Sequence, residues 1–173
     1  AKILGEKDAA PVHARLARIY RKLGLHEMEE QELSTALTLA PGDTRSRLAR
    51  AEDRFRLNDL DGADEDFVEV AGSGMAEETV IAREGRARVL LVQGEPAKAA
   101  AMLSGTDDLK SLVTLGAALY ASRDFEGALQ AFERVVDEDP EMASAMTNLG
   151  FAMVQTATTV DDLDKAMETF DKA

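Results

Sequence analysis

Cysteine and tryptophan are absent from this 173-residue chain, and histidine and tyrosine occur twice each. Without cysteine there is no disulfide, no thiolate nucleophile and no sulfur-ligated metal, although this does not select a compartment. His13 and His26 do not form a two-histidine metal motif, so both are expected at the surface or in packing. Proline is scarce, at positions 11, 41, 96 and 140. The pattern places each one near a helix start or beyond a helix end, leaving helix interiors intact. No run of about 18 apolar residues is present to cross a bilayer. Nor is there a basic segment followed by an apolar one at the start. The chain begins at Ala1 and not at methionine, as an excised or processed fragment would.

Recognisable catalytic chemistry is also missing. Ala71-Gly72-Ser73-Gly74 has glycines but lacks the lysine and the strand-to-helix setting of a nucleotide loop. Asn58-Asp59-Leu60-Asp61-Gly62 resembles a calcium loop only weakly, because Leu57 occupies the first ligand position; an acidic helix start explains it better. Ser34, Ser46, Ser73 and Ser104 have no histidine arranged with them by a known signature. The chain is therefore expected to be no enzyme and to carry no cofactor or metal.

What is abundant is alanine, leucine and glutamate, with 45% hydrophobic and 5% aromatic residues, a composition suited to packed helices. The formal charge of -13 argues against nucleic acid or an anionic membrane as partner. A soluble protein of the cytoplasm or periplasm is expected, and the alanine-rich style suggests a bacterial one.

The strongest pattern is a repeat. Leu115-Gly116, Ala128, Phe132 and Pro140 return as Leu149-Gly150, Ala166, Phe170 and Ala173. Earlier members are Leu16-Ala17, Tyr20, Gly24, Leu33, Ala36 and Pro41, then Ala51, Ala63, Phe67 and Val70. A period of about 34 residues marks stacked supersecondary units. Apolar spacing predicts helices over 12–23, 26–39, 44–57, 59–70, 76–92, 96–103, 109–122, 125–136 and from 143 to about 155. In the last unit Ala166 comes four residues late, so either a first helix or a loop is lengthened.

These positions resemble the tetratricopeptide repeat family over about residues 10–173. The fourth unit carries most of the likeness, through Leu115, Gly116, Tyr120, Phe125, Ala128, Phe132 and Pro140. The resemblance implies an all-α, right-handed superhelical solenoid of antiparallel helix pairs. It would be one domain over 1–173 with about five pairs, at 10–43, 44–74, 75–108, 109–142 and 143–173. Small residues leave room where backbones cross, and Leu115, Phe132 and Phe170 fill the gaps beside them. The last apolar face is expected to need a cap, from a longer chain or through self-association.

In this family the first helix of each pair lines a concave groove. The resulting expectation is a groove basic in its N-terminal half and apolar toward its C-terminal half. Arg18, Arg21, Lys22, Arg45, Phe55, Arg56, Arg88, Lys110, Tyr120 and Phe151 are its candidate partner-binding residues. A protein or peptide with acidic and apolar side chains would suit it, steered by charge and anchored by buried rings. The opposing expectation is that arginines on one helix merely pair with acids on its neighbour. The carboxylate clamp known in part of the family is not reproduced: Ala14/Arg18, Ala49 and Glu84/Arg88 stand at its positions. Two functions follow, an adaptor holding a partner protein and a structural subunit that forms homo-oligomers.

Overall fold

Residues 6–173 are described by the computed structural model, and they form ten α-helices with no strand among them. In chain order these are α1 (Glu6–Leu23), α2 (His26–Leu39), α3 (Thr44–Arg56), α4 (Leu60–Ala71) and α5 (Ala76–Val92), then α6 (Pro96–Leu103), α7 (Leu109–Ala121), α8 (Phe125–Glu138), α9 (Ala143–Thr156) and α10 (Val160–Asp171). The apolar periodicity locates all of the nine helices it predicts, and the tenth follows the Thr156–Thr159 stretch.

Local chemistry explains where the helices start. Asp43, Asp59, Asp108 and Asp124 each precede a helix, and each accepts a hydrogen bond from a backbone N–H three residues on. That satisfies one of the donors that a helix leaves open at its N-terminus. Asp59, in the segment weakly resembling a calcium loop, thus caps α4 by accepting from the Gly62 amide at 3.1 Å. Thr159 and Asp162 form a reciprocal capping box at α10.

The turns inside the first four pairs share a second device. Gly24, Asn58, Gly94 and Arg123 lie at φ of 70°, 62°, 79° and 65°. One left-handed residue ends each first helix and lets the next fold back. The fifth pair departs from this, with Ala157 extended at φ -60°, ψ 131°. Its four extra residues are absorbed by the helices, one at the end of α9 and three at the start of α10. The intervening loop keeps the length it has between α7 and α8.

Pro11 corrects one expectation. It lies inside α1, not at its start, because the helix begins well before the apolar pattern does. Proline at the sixth helical position removes one intrahelical N–H donor, and the helix continues through it. Residues 1–5, where the sequence shows little pattern, fall outside the described residues.

The helices group into two units, Ala1–Val89 and Leu90–Ala173. In the first, Ala51, Ala63, Phe67, Val70, Ala82 and Val89 form a buried cluster, and the Phe67 ring lies against Gly85. In the second, Ala128, Phe132, Leu149 and Ala152 form one cluster, with Leu112, Val135 and Ala145 in another. The small residues act as the repeat pattern anticipates. A Cβ placed on Gly116 would come within 2.6 Å of the Phe132 ring, and one on Gly150 within 2.7 Å of Phe170. Each buried phenylalanine contributes about 1.5–3 kcal/mol through removal from water, available only because glycine lets the ring approach the backbone.

Candidate interaction surfaces

In the first unit α1, α2 and α3 enclose an open cleft of about 510 Å3. Pro11, Ala14, Ala17, Leu33 and Ala49 give it small apolar walls, and Arg15, Arg18, Arg21 and Arg45 give it charge. Its two acids are already engaged within the fold. Glu29 accepts from Arg21 Nε at 2.5 Å. Asp43 accepts from the Ser46 hydroxyl at 2.6 Å as part of the α3 cap. Arg15, Arg18 and Arg45 are exposed and make no ion pair among the described residues. Asp43 keeps its charge, since its hydrogen bonds come from neutral groups, but the three unpaired arginines outnumber it, so the unpaired charge around this cleft is predominantly positive.

Of the expected groove residues, Arg18, Arg21 and Arg45 meet at this cleft, and Lys22 is exposed on α1 beyond its lining. Arg15 joins them although the repeat register assigns its neighbours Ala14 and Arg18 to the groove. Arg56 is tied down from a different direction. Its guanidinium reaches Asp53 at 2.8 Å and Glu29 at 3.5 Å. His26 Nδ1 lies 3.0 Å from Asp53 and 3.5 Å from Glu29. Glu29 and Asp53 are almost wholly buried at the junction of α2 and α3, while Arg21 and Arg56 keep 41% and 37% of their side-chain surface in water. Two carboxylates removed from solvent are thus held by two half-solvated arginines and a histidine, the arrangement that makes their burial tolerable.

His26, Glu29 and Asp53 place their donor atoms within 4.8 Å of one another, close enough to meet at a cation. Arg21 and Arg56 already bond those same carboxylates, so a divalent ion would compete with two guanidiniums. The cluster reads as an internal charge network in which one buried oxygen, Asp53 Oδ2, has no hydrogen-bond partner. Its histidine, like His13 beside Glu32 at 2.6 Å, serves packing and pairing.

A second network lies farther along. Asp66, buried on α4, accepts from Arg50 Nη2 at 2.6 Å and from Arg54 Nη1 at 3.1 Å. The hydrogen bonds that Arg50 donates to Asp66 raise the Arg50 pKa above its ordinary value. Arg88 sits 4.4 Å from the centroid of the Phe55 ring and 3.3 Å from Glu52. These two expected groove residues therefore satisfy each other by a cation–π contact.

In the second unit the candidate residues are apolar. Tyr120 and Phe151 line a cleft of about 150 Å3 with Ala117, Phe132 and Asn148. Each ring is held edge-on, Tyr120 by Phe125 at 5.2 Å and Phe151 by Phe170 at 5.1 Å. Phe151 remains 51% exposed. Asn148 is the polar group that the sequence reading omits; it sits three residues before Phe151, one helical turn away on the same face. Lys110 is exposed near the start of α7, apart from this cleft and not without a partner of its own.

Antiparallel helix pairs, with first helices carrying guanidiniums and rings into open clefts, define a helical-repeat scaffold for holding other proteins. Models of the tetratricopeptide repeat match residues 48–107, 113–173 and 10–43. The chain belongs to the tetratricopeptide repeat family, whose members are typically non-enzymatic scaffolds.

Solved structures share the fold. A MamA fragment from Desulfovibrio magneticus RS-1 is 22% identical, covering 98% of this chain and 94% of its own, with a TM-score of 0.78. YrrB, described as a TPR protein with an unusual peptide-binding site, is 20% identical over 97% of this chain and 86% of its own, with a TM-score of 0.68. PilW, a type IV pilus biogenesis factor, is 18% identical over 94% and 76%, with a TM-score of 0.78. At these identities the likeness is one of fold. No curated protein matches the chain. Among the described residues no helix is long and apolar enough to cross a membrane.

Proposed function

We propose that this chain is an adaptor whose first-unit cleft receives an acidic, partly apolar segment of a partner protein. The observation that carries this reading is the set of unpaired arginines, Arg15, Arg18 and Arg45, around a cleft in which Glu29 is already paired with Arg21 and Asp43 is held in the α3 cap. Arg21 contributes to the lining while bonded to Glu29 and serves as a fixed wall. The Tyr120–Phe151 cleft of the second unit offers a separate seat for an apolar side chain. The description of YrrB as peptide-binding supports the choice of a peptide for this fold.

The test is fluorescence anisotropy with labelled peptides in which Glu and Leu alternate, set against the same peptides carrying Gln for Glu. The acidic peptides should bind more tightly, and Arg18→Glu with Arg45→Glu should weaken them by about tenfold or more, the equivalent of 1.4 kcal/mol. Neither residue supports the fold, so circular dichroism should be unchanged. Equal binding of acidic and neutral peptides, or an unaffected double variant, would overturn the proposal.

A further inference from the structure

The first helices α3, α7 and α9 each pack their own second helix and also receive the second helix of the preceding pair. Two places after the small residue at the crossing (Ala17, Ala51, Gly85, Gly116, Gly150) stand Ile19, Asp53, Ala87, Ala118 and Ala152. The last four are completely buried, whereas Ile19 on α1 is 53% exposed. Val12 and Leu23, two turns before Ile19 and one turn after it on the same stripe, are exposed too.

The second helices show the converse. Glu30, Asp64 and Leu129 each meet the next first helix. Glu30 reaches Arg54 at 3.3 Å, Asp64 reaches Arg86 at 2.7 Å, and Leu129 packs in the cluster with Met153. Met167 holds that register position on α10 and is 65% exposed. Val160 and Leu163 extend its stripe, 72% and 42% exposed. The terminal helices thus present complementary halves of the junction used inside each unit, with large apolar residues on both.

Charge selects the occupant. Arg15, Arg18 and Lys22 border the α1 stripe, and Asp164, Glu168 and Asp171 border the α10 stripe. None of these six makes an ion pair among the described residues. Two α10 faces, or two α1 faces, would oppose like charges; α10 against α1 opposes unlike ones.

We propose that the chain associates head to tail, the Val160–Leu163–Met167 face of one copy docking on the Val12–Ile19–Leu23 face of a second. Such a contact is heterologous and can add further copies at either end. It does not depend on the cleft acting as a peptide site.

Sedimentation velocity across a concentration series tests it, using the 173-residue chain with Ile19→Glu and Met167→Lys variants. The wild type should gain mass with concentration and lose it in high salt. Each variant alone should remain monomeric, because both faces are needed for like copies to join. An equimolar mixture of the two should form a dimer and stop there, through the intact α10 face of one and the intact α1 face of the other. Both positions are exposed, and unchanged circular dichroism confirms the fold. A wild type that stays monomeric, an Ile19→Glu variant that still assembles, or a mixture that stays monomeric would overturn the proposal. The second of these outcomes would indicate an α10-to-α10 contact.

Discussion

At the scale of single residues, the pairing of Arg56 separates structural from recognition roles among the arginines. Asp53 is fully buried, and Arg56 is its closest cationic partner. Removing Arg56 leaves the buried Asp53 carboxylate with His26 as its one side-chain partner, whereas removing Glu29 leaves Arg21 and Arg56 partly solvated and able to rehydrate. Arg56→Ala is therefore expected to destabilise by about 3 kcal/mol and Glu29→Ala by less, about 1–2 kcal/mol. Urea denaturation of both variants checks the order, and a larger loss for Glu29→Ala would refute it. This distinction was not legible in the sequence. Arg18, Arg21, Arg45 and Arg56 look alike on their helices, and the bonds that set Arg21 and Arg56 apart reach side chains on other helices. What the spacing did convey was the face on which Arg18 and Arg45 sit. It missed Arg15 because the repeat register assigns Ala14 and Arg18 to the groove, while the cleft is wide enough to admit the residue beside them.

At the scale of elements, α10 depends on a carboxylate for its start. Hydrogen bonds from the Thr159 hydroxyl side and from the Thr158 and Thr159 amides lower the Asp162 pKa below its ordinary 3.8. A carboxyl with a depressed native pKa contributes stability in full above its unfolded value. That contribution fades as the pH falls below 3.8 through the lowered native value. The Thr158 and Thr159 amides should accordingly lose hydrogen-exchange protection in that range before the α8 core amides do. Simultaneous loss would show that the box does not govern the helix start. The helices themselves were readable because small and aromatic residues recur at fixed offsets. Two details were not. Pro11 suggested a helix start while α1 begins at Glu6, since a proline tolerated within a helix is indistinguishable by sequence from one that begins it. The late Ala166 pointed to a longer first helix or loop, yet three of the four added residues extend the start of α10, where a threonine cap fixes a position that apolar periodicity does not mark.

At the scale of the whole molecule, the net charge of -13 and an isoelectric point near 4.6 set solution behaviour. The net charge opposes non-specific aggregation at neutral pH, and this protection vanishes near the isoelectric point. Solubility, measured by turbidity across a pH series, should pass through a minimum near pH 4.6 and recover on either side; a monotonic curve would contradict this. The acidic total was legible at once, and so was the basic character expected of the N-terminal groove; which of its arginines stay unpaired emerges only after the internal pairs are drawn. The junctions between neighbouring pairs carry a further consequence. Between α2 and α3 the seam is built from Glu29, Asp53 and arginines. Between α4 and α5 it combines Asp64–Arg86 with Phe67 on Gly85, and between α8 and α9 Ala128, Phe132, Leu149 and Ala152 fill it with apolar side chains. Modules that share one backbone plan are thus keyed differently at their edges. Duplication can supply the parts, but a shuffled order would set Glu29 and Glu30 against Met153, so the sequence of modules is itself encoded in the chemistry of the seams.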